Sequence, residues 1–272
     1  MTKRAWSMKK GRYMKDLNPI VFVNTQGITL KLDLRDPWNL KVLETIRKLG
    51  SYEPESTTLI QHNLKKGEKF LDLGANIGYF TLLAAKIVGD NGVVHSFEPY
   101  PPARNQLSEN VVLNHVTNVV IHPEALSNRD GRATFYVSKG DTSLNNMIGP
   151  IGPDAEQISV PVGRVDDLVP RDFVVDLVKM DIEGEEFNAL EGMVCLIERS
   201  PNLKVLLEYN ISAAERTKLD PQKLLNRLNL WFDVFRVDAD GENVVLRGPI
   251  KSTREINERM CMLWCVKRKI PP

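Results

Sequence analysis

Residues 70–80 read FLDLGANIGYF and carry the strongest structural signal in the chain. An apolar run ends in a glycine-rich turn and a second apolar run follows, which predicts a strand, a tight turn and a helix. Some twenty residues later, Phe97-Glu98-Pro99 ends a second predicted strand with a carboxylate. Nucleotide-binding folds place the acid that binds a ribose at this distance. The two motifs together predict a nucleoside-cofactor site.

Asp72 and Asn76 indicate which cofactor the site takes. A carboxylate at the strand end would lie close to the pyrophosphate of a dinucleotide, and like charges about 4 Å apart repel by about 4 kcal/mol at an effective dielectric near 20. Asn76 also stands where G-x-G-x-x-G requires its second glycine. S-adenosylmethionine (SAM) has no phosphate and carries an ammonium that Asp72 can attract, directly or through water. We therefore expect SAM; the alternative is a plain tight turn in which Asp72 caps the next helix.

The composition sets the broad class of the protein. The chain has 272 residues, of which 42% are hydrophobic, and this is enough to bury a complete core. Its 36 basic and 35 acidic residues nearly cancel, so no overall charge attracts it to nucleic acid or to a membrane. No apolar run reaches the roughly eighteen residues of a spanning helix, and no apolar signal region follows the basic N-terminal residues. We expect a cytoplasmic protein without a membrane partner.

The predicted elements divide the chain at residue 50. Residues 1–50 predict an N-terminal extension, with a hairpin over Ile20 to Leu34 and a helix over Pro37 to Leu49, and this extension is a candidate substrate lid. Strands and helices alternate over residues 51–272, which is typical of a mostly parallel sheet with helices on both faces. The polar loop from Ser138 to Gln157 interrupts this order and is a second candidate for part of the site.

The ordered set of motifs resembles the FkbM-type family of SAM-dependent methyltransferases, from about Ser51 to Asn210. Besides the two motifs described above, the carriers are residues 51–54 (SYEP), 109–111 (ENV) with Asn114, 125–127 (ALS), 165–168 (VDDL), 179–186 (KMDIEGEE) and 207–208 (LE). The resemblance implies an α/β class I SAM-methyltransferase (Rossmann-like) fold, with a seven-stranded, mostly parallel sheet flanked by helices. It also implies O-methylation of a hydroxyl on a sugar or another small metabolite.

The resemblance and the chemistry of the residues together give candidates for cofactor binding. We expect Asp72 to face the cofactor ammonium and Glu98 to accept both ribose hydroxyls. The backbone at Gly74 and Gly78 would approach the methionine end. Glu124 would accept from the adenine amine. The complete cofactor-binding set is Tyr52, Glu53, Asp72, Gly74, Asn76, Gly78, Glu98, Glu124 and Ala125.

Three carboxylates, those of Asp181, Glu183 and Glu208, are the candidates for catalysis. Asp181 follows the fourth predicted strand and Glu208 ends the fifth, at the edge where such sheets bind ligands. An acceptor hydroxyl is weakly acidic, so a base that takes its proton would speed methyl transfer. Asp181 is the first candidate for this base or for a substrate anchor. With Asn210, these oxygens are also compatible with Mg²⁺, and a divalent metal stays open at this stage.

Two other functions stay open from the sequence. The basic residues between Lys3 and Lys15 could serve a tRNA or rRNA methyltransferase. The acidic residues 181–184, however, stand where amino-directed base methylases have N/D-P-P-Y/F, and they would repel phosphate. We therefore expect a small-molecule acceptor and no nucleic-acid partner. A SAM site without turnover would instead make the chain a non-catalytic SAM-binding protein.

Overall fold

The computed structural model describes residues 19–138, 142–152, 154–217, 220–241, 243–256 and 258–269. The basic run before residue 19 and parts of the 138–157 loop lie outside these ranges. In chain order the strands are β1 (Ile20–Thr25), β2 (Ile28–Asp33), β3 (Lys69–Leu73), β4 (Val93–Phe97), β5 (Val119–His122), β6 (Ala125–Leu126), β7 (Gly131–Val137), β8 (Glu156–Gly163), β9 (Leu177–Met180), β10 (Lys204–Asn210), β11 (Phe232–Asp240), β12 (Asn243–Arg247) and β13 (Met260–Lys267).

The helices lie mostly between these strands. They are α1 (Pro37–Leu49), α2 (Pro54–Asn63), α3 (Tyr79–Val88), α4 (Pro101–Leu113), α5 (Val165–Leu168), α6 (Glu186–Glu191), α7 (Val194–Arg199), α8 (Ile211–Thr217) and α9 (Pro221–Trp231). The predicted hairpin and first helix are confirmed as β1, β2 and α1. Within the described ranges, no helix combines the length and the apolar character needed to cross a membrane.

The central sheet has the strand order β12-β11-β13-β10-β9-β3-β4-β5. Strands β5, β4, β3, β9 and β10 are parallel neighbours, and β13 runs antiparallel between β10 and β11. The predicted mostly parallel α/β architecture is therefore confirmed. The sheet has eight strands rather than the predicted seven, because the chain turns back after Asp240 and β12 pairs antiparallel with β11 at the edge.

The central sheet separates two apolar cores, one on each face. Along β3, Leu71 and Leu73 belong to one core and Phe70 belongs to the other, as the alternation of side chains in a strand requires. Helices α6, α7 and α9 close the first core, and α1, α2 and α3 close the second. The face of the sheet that carries the second core also has polar residues. Two of them are Asp72 on β3 and Lys179 on β9, which are partners in the strand register.

The leading hairpin and helix are part of the second core. Leu30 and Leu32 on β2 and Trp38 on α1 are buried in the same cluster as residues of α3. The burial of these side chains attaches residues 20–49 to the α3 side of the sheet. That residues 1–50 form a unit of their own stays a prediction.

Two asparagines on α4 and in the turn after it fasten β2. Asn110 accepts a hydrogen bond from the Lys31 backbone N–H at 2.8 Å and donates to the Ile77 carbonyl at 2.9 Å. Asn114 bonds both the N–H and the carbonyl of Thr29. Side-chain amides thus satisfy backbone groups at the edge of the hairpin. This contact gives the motif at residues 109–114 a structural role.

The insertion after β5 forms a small separate sheet. Strand β8 pairs with β6 and β7 in a three-stranded sheet, and the connecting loop folds back to form a bridge between Tyr136 and Asn146. A short 3-10 turn at Thr142–Leu144 lies in this loop. The Thr142 hydroxyl donates to Asp36 Oδ2 at 2.8 Å, while Asp36 Oδ1 caps α1. The loop and the leading helix therefore meet at one carboxylate.

The turn after β3 requires glycine at two positions. Gly74 has φ +88°, and a Cβ there would lie 2.0 Å from the Asp181 carbonyl oxygen. Gly78 has φ +92°, and a Cβ there would lie 2.3 Å from Leu107 Cδ1. Both conformations are ones that residues with a side chain rarely adopt. The first glycine lets β3 and the end of β9 pack closely, and the second lets α3 and α4 do so.

Replacing Gly74 should test this packing. We expect Gly74→Ala to lower the free energy of unfolding by about 3 to 5 kcal/mol, because it adds both left-handed strain and a backbone clash. The matched control is Gly67→Ala, which has φ +82° and nothing within 4 Å of the added Cβ. That variant should lose only about 1 to 2 kcal/mol. Urea unfolding followed by circular dichroism measures both, and equal losses would contradict the proposed clash.

Candidate active site

Two connected cavities lie at the C-terminal edge of the parallel strands. The narrow cavity is bounded by the ends of β3 and β4 and by the insertion, and the wide cavity, of about 840 Å³, by α1, α2 and the ends of β9, β10 and β13. The residues that line both are Gly74, Asn76, Ser143, Asp181 and Glu183. A ligand in one cavity can therefore reach a ligand in the other across this shared wall.

The narrow cavity combines apolar walls with a few oxygen acceptors. Its apolar lining includes Phe97, Leu126, Phe135 and Met147. Its polar lining includes the predicted residues Glu98 and Glu124, and the predicted Ala125, on β6, lines it as well. Flat apolar walls with a small number of placed polar groups suit a purine nucleoside.

Glu98 is fixed before any ligand enters. Its side chain is only 7% exposed, Oε2 accepts from the Asn76 backbone N–H and Oε1 accepts from the Tyr100 backbone N–H, both at 2.8 Å. Burial raises the pKa of Glu98 to about 7, although these two hydrogen bonds lower it. Each oxygen keeps a further lone pair, so the carboxylate can still accept a pair of ribose hydroxyls.

Two buried oxygens in the narrow cavity lack a hydrogen-bond partner among the described residues. They are Asn76 Oδ1 and Glu124 Oε2. Buried acceptors are nearly always paired in folded proteins, so both positions favour a ligand that brings donors. Adenosine has an exocyclic amine and two ribose hydroxyls, and the lining thus fits the nucleoside half of SAM.

Asp72 lies behind the turn, outside the lining of both cavities. Its side chain is 1% exposed, and Oδ2 accepts from the Thr81 hydroxyl on α3 at 2.6 Å. Burial raises its pKa to about 6, while the nearby Lys179 and the Thr81 bond lower it. The structure thus separates Asp72 from the ligand space that we expected it to face, and the contact with Thr81 ties α3 to β3.

Gly78 also lies outside the lining of both cavities. Its missing side chain makes room for Leu107 rather than for a ligand. Gly74, in contrast, lines both cavities, although the atom that excludes a Cβ there is the Asp181 carbonyl oxygen. Of the two glycines, only Gly74 therefore stands where a cofactor can contact it.

The three predicted catalytic carboxylates come together in the wide cavity. Oxygens of Asp181, Glu183 and Glu208 all lie within 4.8 Å of one another. Asp181 and Glu183 also face the narrow cavity, so they occupy the wall between the two spaces. Arg216 lies 3.9 Å from Glu183 Oε2. The cluster has the ligand type that Mg²⁺ takes.

A buried ammonium stands beside this cluster. Lys179 Nζ lies 3.0 Å from Asp181 Oδ2 and 4.6 Å from the centre of the Phe80 ring, and its side chain is 3% exposed. Burial alone lowers the pKa of Lys179, but the carboxylates of Asp181, Glu53 and Asp72 raise it above its ordinary value. Lys179 therefore stays charged and balances part of the carboxylate charge without a metal.

Glu208 is a weaker acid in this cavity than an ordinary glutamate. Burial and the charges of Asp181 and Glu183 raise its pKa to about 9, although Lys179 and a 3.2 Å hydrogen bond from Asn210 lower it. Glu208 therefore holds a proton at neutral pH when the cavity contains no further cation.

Tyr52 and Glu53 form part of the roof of the wide cavity and do not line the narrow one. The Tyr52 ring packs edge-on against Trp38 and Tyr79, with ring centres 5.6 and 5.5 Å away. Glu53 precedes α2 with φ +41°, and its buried Oε2 has no hydrogen-bond partner among the described residues. Tyr52 and Glu53 therefore line the wide cavity, and their contact with the cofactor stays a prediction.

Glu186 shapes the site without being among the predicted residues. It is buried, and its Oε1 accepts from the backbone N–H groups of Ile182 and Gly184 at 3.2 and 3.1 Å. These bonds hold the turn that carries Asp181 and Glu183. An acidic residue at the start of a helix, two residues after a glycine, is the sequence signal that could have identified it.

Comparisons with solved structures found methyltransferases at low identity. A SAM-dependent O-methyltransferase from Thermotoga maritima is 13% identical, with a TM-score of 0.45, over 85% of this chain and 72% of that chain. A SAM-dependent methyltransferase from Aquifex aeolicus is 15% identical, with a TM-score of 0.46, over 86% and 99%. A proposed rRNA methylase from Clostridium thermocellum is 14% identical, with a TM-score of 0.47, over 79% and 96%. These values are too low to indicate the acceptor or to support the expected absence of a nucleic-acid partner.

A family comparison is more direct. No curated protein matches the chain. Residues 72–233, however, match the family described as the methyltransferase FkbM domain. The match covers more than half of the chain and confirms the resemblance of its motifs. The protein therefore belongs to the FkbM-domain methyltransferase family and is a SAM-dependent methyltransferase.

Proposed function

We propose that this methyltransferase transfers the methyl group of SAM to a hydroxyl of a small polyhydroxylated acceptor, such as a sugar. The observation that carries the proposal is the wide cavity of about 840 Å³, which meets the narrow cavity at Asp181. Clefts of this size suit small molecules. The carboxylates that line it would repel the phosphates of a nucleic acid, which supports a small acceptor.

The residues at the shared wall suggest how the chain assists the transfer. Bound SAM supplies a methyl group activated by a sulfonium. Asp181 accepts a hydrogen bond from the acceptor hydroxyl and takes its proton as the C–O bond forms and the C–S bond breaks. The Lys179 ammonium, 3.0 Å from Asp181 Oδ2, holds this carboxylate in place before the acceptor enters. Glu183 and Glu208 complete the acidic wall on either side of it.

Titration calorimetry with SAM, and with NAD in parallel, tests the cofactor assignment. We expect SAM to bind and NAD not to bind, because the narrow cavity offers carboxylates rather than phosphate-binding groups. Binding of neither, or of NAD alone, would overturn the proposal at its first step.

A substitution at Asp181 separates binding from chemistry. We expect Asp181→Asn to lower the rate of methyl transfer by about 10² to 10⁴, because the amide cannot take the hydroxyl proton. SAM affinity should change by less than about threefold, which is under 0.7 kcal/mol. Transfer of labelled methyl from SAM to a panel of sugars measures the rate. The matched control is Asp167→Asn, an exposed aspartate outside both cavities, and unchanged turnover in Asp181→Asn would contradict the assigned role.

The raised pKa of Glu98 predicts a pH dependence of cofactor binding. Its folded-state pKa lies above the ordinary value, so the ionised form is lost as the pH falls through about 7. SAM affinity should then fall by up to about tenfold per pH unit, because a protonated carboxyl accepts one ribose hydroxyl less well. Glu98→Gln should bind weakly with a flat profile. Glu109→Gln, at an exposed position on α4 outside both cavities, should keep the natural profile, and a flat profile in the natural protein would contradict the assignment.

A further inference from the structure

The wide cavity is lined by many more acids than bases. Its acidic lining residues are Glu53, Glu55, Asp181, Glu183, Glu208, Asp238 and Glu258, and its basic lining residues are Lys41 and Lys179. This excess matters because the cavity is proposed to hold the acceptor, so the following argument rests on the proposed function. A cleft lined by one sign of charge concentrates ligands of the opposite sign.

Four of these acids already have a cationic partner. Asp238 contacts Arg236 and Arg247, and Glu258 lies 3.8 Å from Arg236. Asp181 pairs with Lys179 at 3.0 Å. Glu183 has Arg216 at 3.9 Å. The charges at the rim of the cavity and at the shared wall are therefore partly or wholly balanced by the protein itself.

Glu53, Glu55 and Glu208 differ from these four. In the ranges that the structure describes, none of the three forms an ion pair within 4 Å, and the Oε2 atom of Glu53 is buried without a hydrogen-bond donor. All three line the wide cavity and none lines the narrow one. Burying an unpaired carboxylate costs several kcal/mol, and Glu208 avoids this cost by holding a proton in the empty cavity. A ligand that carries a cation would pair with Glu53 and would let Glu208 ionise, so this space favours such a ligand.

The cofactor can supply only part of that charge. The methionine end of SAM has an ammonium and a carboxylate, which cancel, and its one net charge is the sulfonium. That charge disappears when the methyl group leaves. After the transfer the cofactor therefore brings no net positive charge to Glu53 and Glu208. The acceptor is the remaining ligand that can provide it.

We propose that the acceptor is a hydroxylated amine, such as an amino sugar, whose ammonium binds at Glu53 and Glu208 while a hydroxyl of the same molecule is placed at Asp181. Charge-assisted hydrogen bonds from an ammonium to carboxylates are about twice as strong as neutral ones. The amine therefore sets both the orientation of the acceptor and its selection over neutral sugars. The methyl group goes to the hydroxyl, since a protonated amine has no lone pair for attack.

Binding of the amine should release a proton. Glu208 faces Asp181, Glu183, Lys179 and the Asn210 amide, and the two carboxylates keep it protonated in the empty cavity. An ammonium beside Glu208 favours its ionised form. Calorimetry in two buffers of different ionisation enthalpy should detect this release, and Glu208→Gln should abolish it.

The decisive experiment uses matched acceptor triplets with the full-length protein and SAM. Each triplet contains a polyol or sugar as the free amine, as the neutral N-acetyl derivative and as a carboxylate analogue; glucosamine, N-acetylglucosamine and glucuronate form the first. We expect kcat/KM for the amine to exceed that for the neutral form by at least about tenfold. Glu53→Gln and Glu208→Gln should reduce this preference, whereas Glu44→Gln, on the exposed face of α1, should keep it.

The outcomes distinguish this inference from the proposed function. Methylation of neutral or acidic members at least as fast as the amines would overturn the inference and leave the O-methyltransferase proposal intact. Failure of SAM to bind would overturn the proposed function itself. Binding of SAM with no binding of any amine at millimolar concentration would also overturn the inference. Tight binding of Mg²⁺ alone, with loss of activity in EDTA, would assign the carboxylates to a metal instead.

Discussion

The buried ammonium of Lys179 is the constraint on which the site depends. It lies on β9, opposite Asp72 in the register of the sheet, 3.0 Å from Asp181 Oδ2 and over the ring of Phe80. An unpaired charge in this position would cost several kcal/mol, and so would each carboxylate around it. Together they form a compensated network that joins β3, β9 and α3. Removing one member would leave the others unpaired. The same network of charges therefore stabilises the centre of the sheet and fixes the geometry of the site.

The shared wall between the cavities explains how one end of a sheet serves two ligands. Parallel strands present their carboxyl ends at one edge, and Glu98, Asp181 and Glu208 are placed there by β4, β9 and β10. Backbone N–H groups hold the Glu98 side chain in place, and Lys179 holds Asp181. Glu186 holds the turn between β9 and α6 by accepting hydrogen bonds from backbone N–H groups of that turn. The carboxylates of the site are therefore held in fixed positions. Other parts of the cavity lining come from less regular segments, such as the Thr142–Leu144 turn.

The parts of this structure that could be predicted from the sequence are those set by local patterns. The strand, turn and helix over residues 70–80 follow from apolar periodicity and two glycines, and the position of Asp181 and Glu208 at one edge follows from the parallel order of the strands. The direction of Asp72 could not be predicted, because it depends on the pairing of β3 with Ser96 and Lys179 on neighbouring strands. The eighth strand, β12, extends the sheet beyond the seven strands that the family resemblance implies, and it is held by its antiparallel pairing with β11.

The positions of Tyr52 and Glu53 on the wall of the wide cavity depend on how α1 and α2 pack over the sheet. No local sequence pattern predicts that packing. The same holds for the role of the asparagines at 110 and 114, which contact a hairpin about eighty residues earlier in the chain. Long-range contacts of this kind are fixed by the whole fold.

The position of β13 has a consequence for how the protein is made. This strand inserts between β10 and β11, and Met260, Cys261 and Met262 supply one wall of the wide cavity. The narrow cavity, in contrast, is built from residues 74–185. On the ribosome, the residues that line the narrow cavity therefore emerge before residue 260 is synthesised. The wide cavity gains its last wall only when the final strand of the sheet is complete.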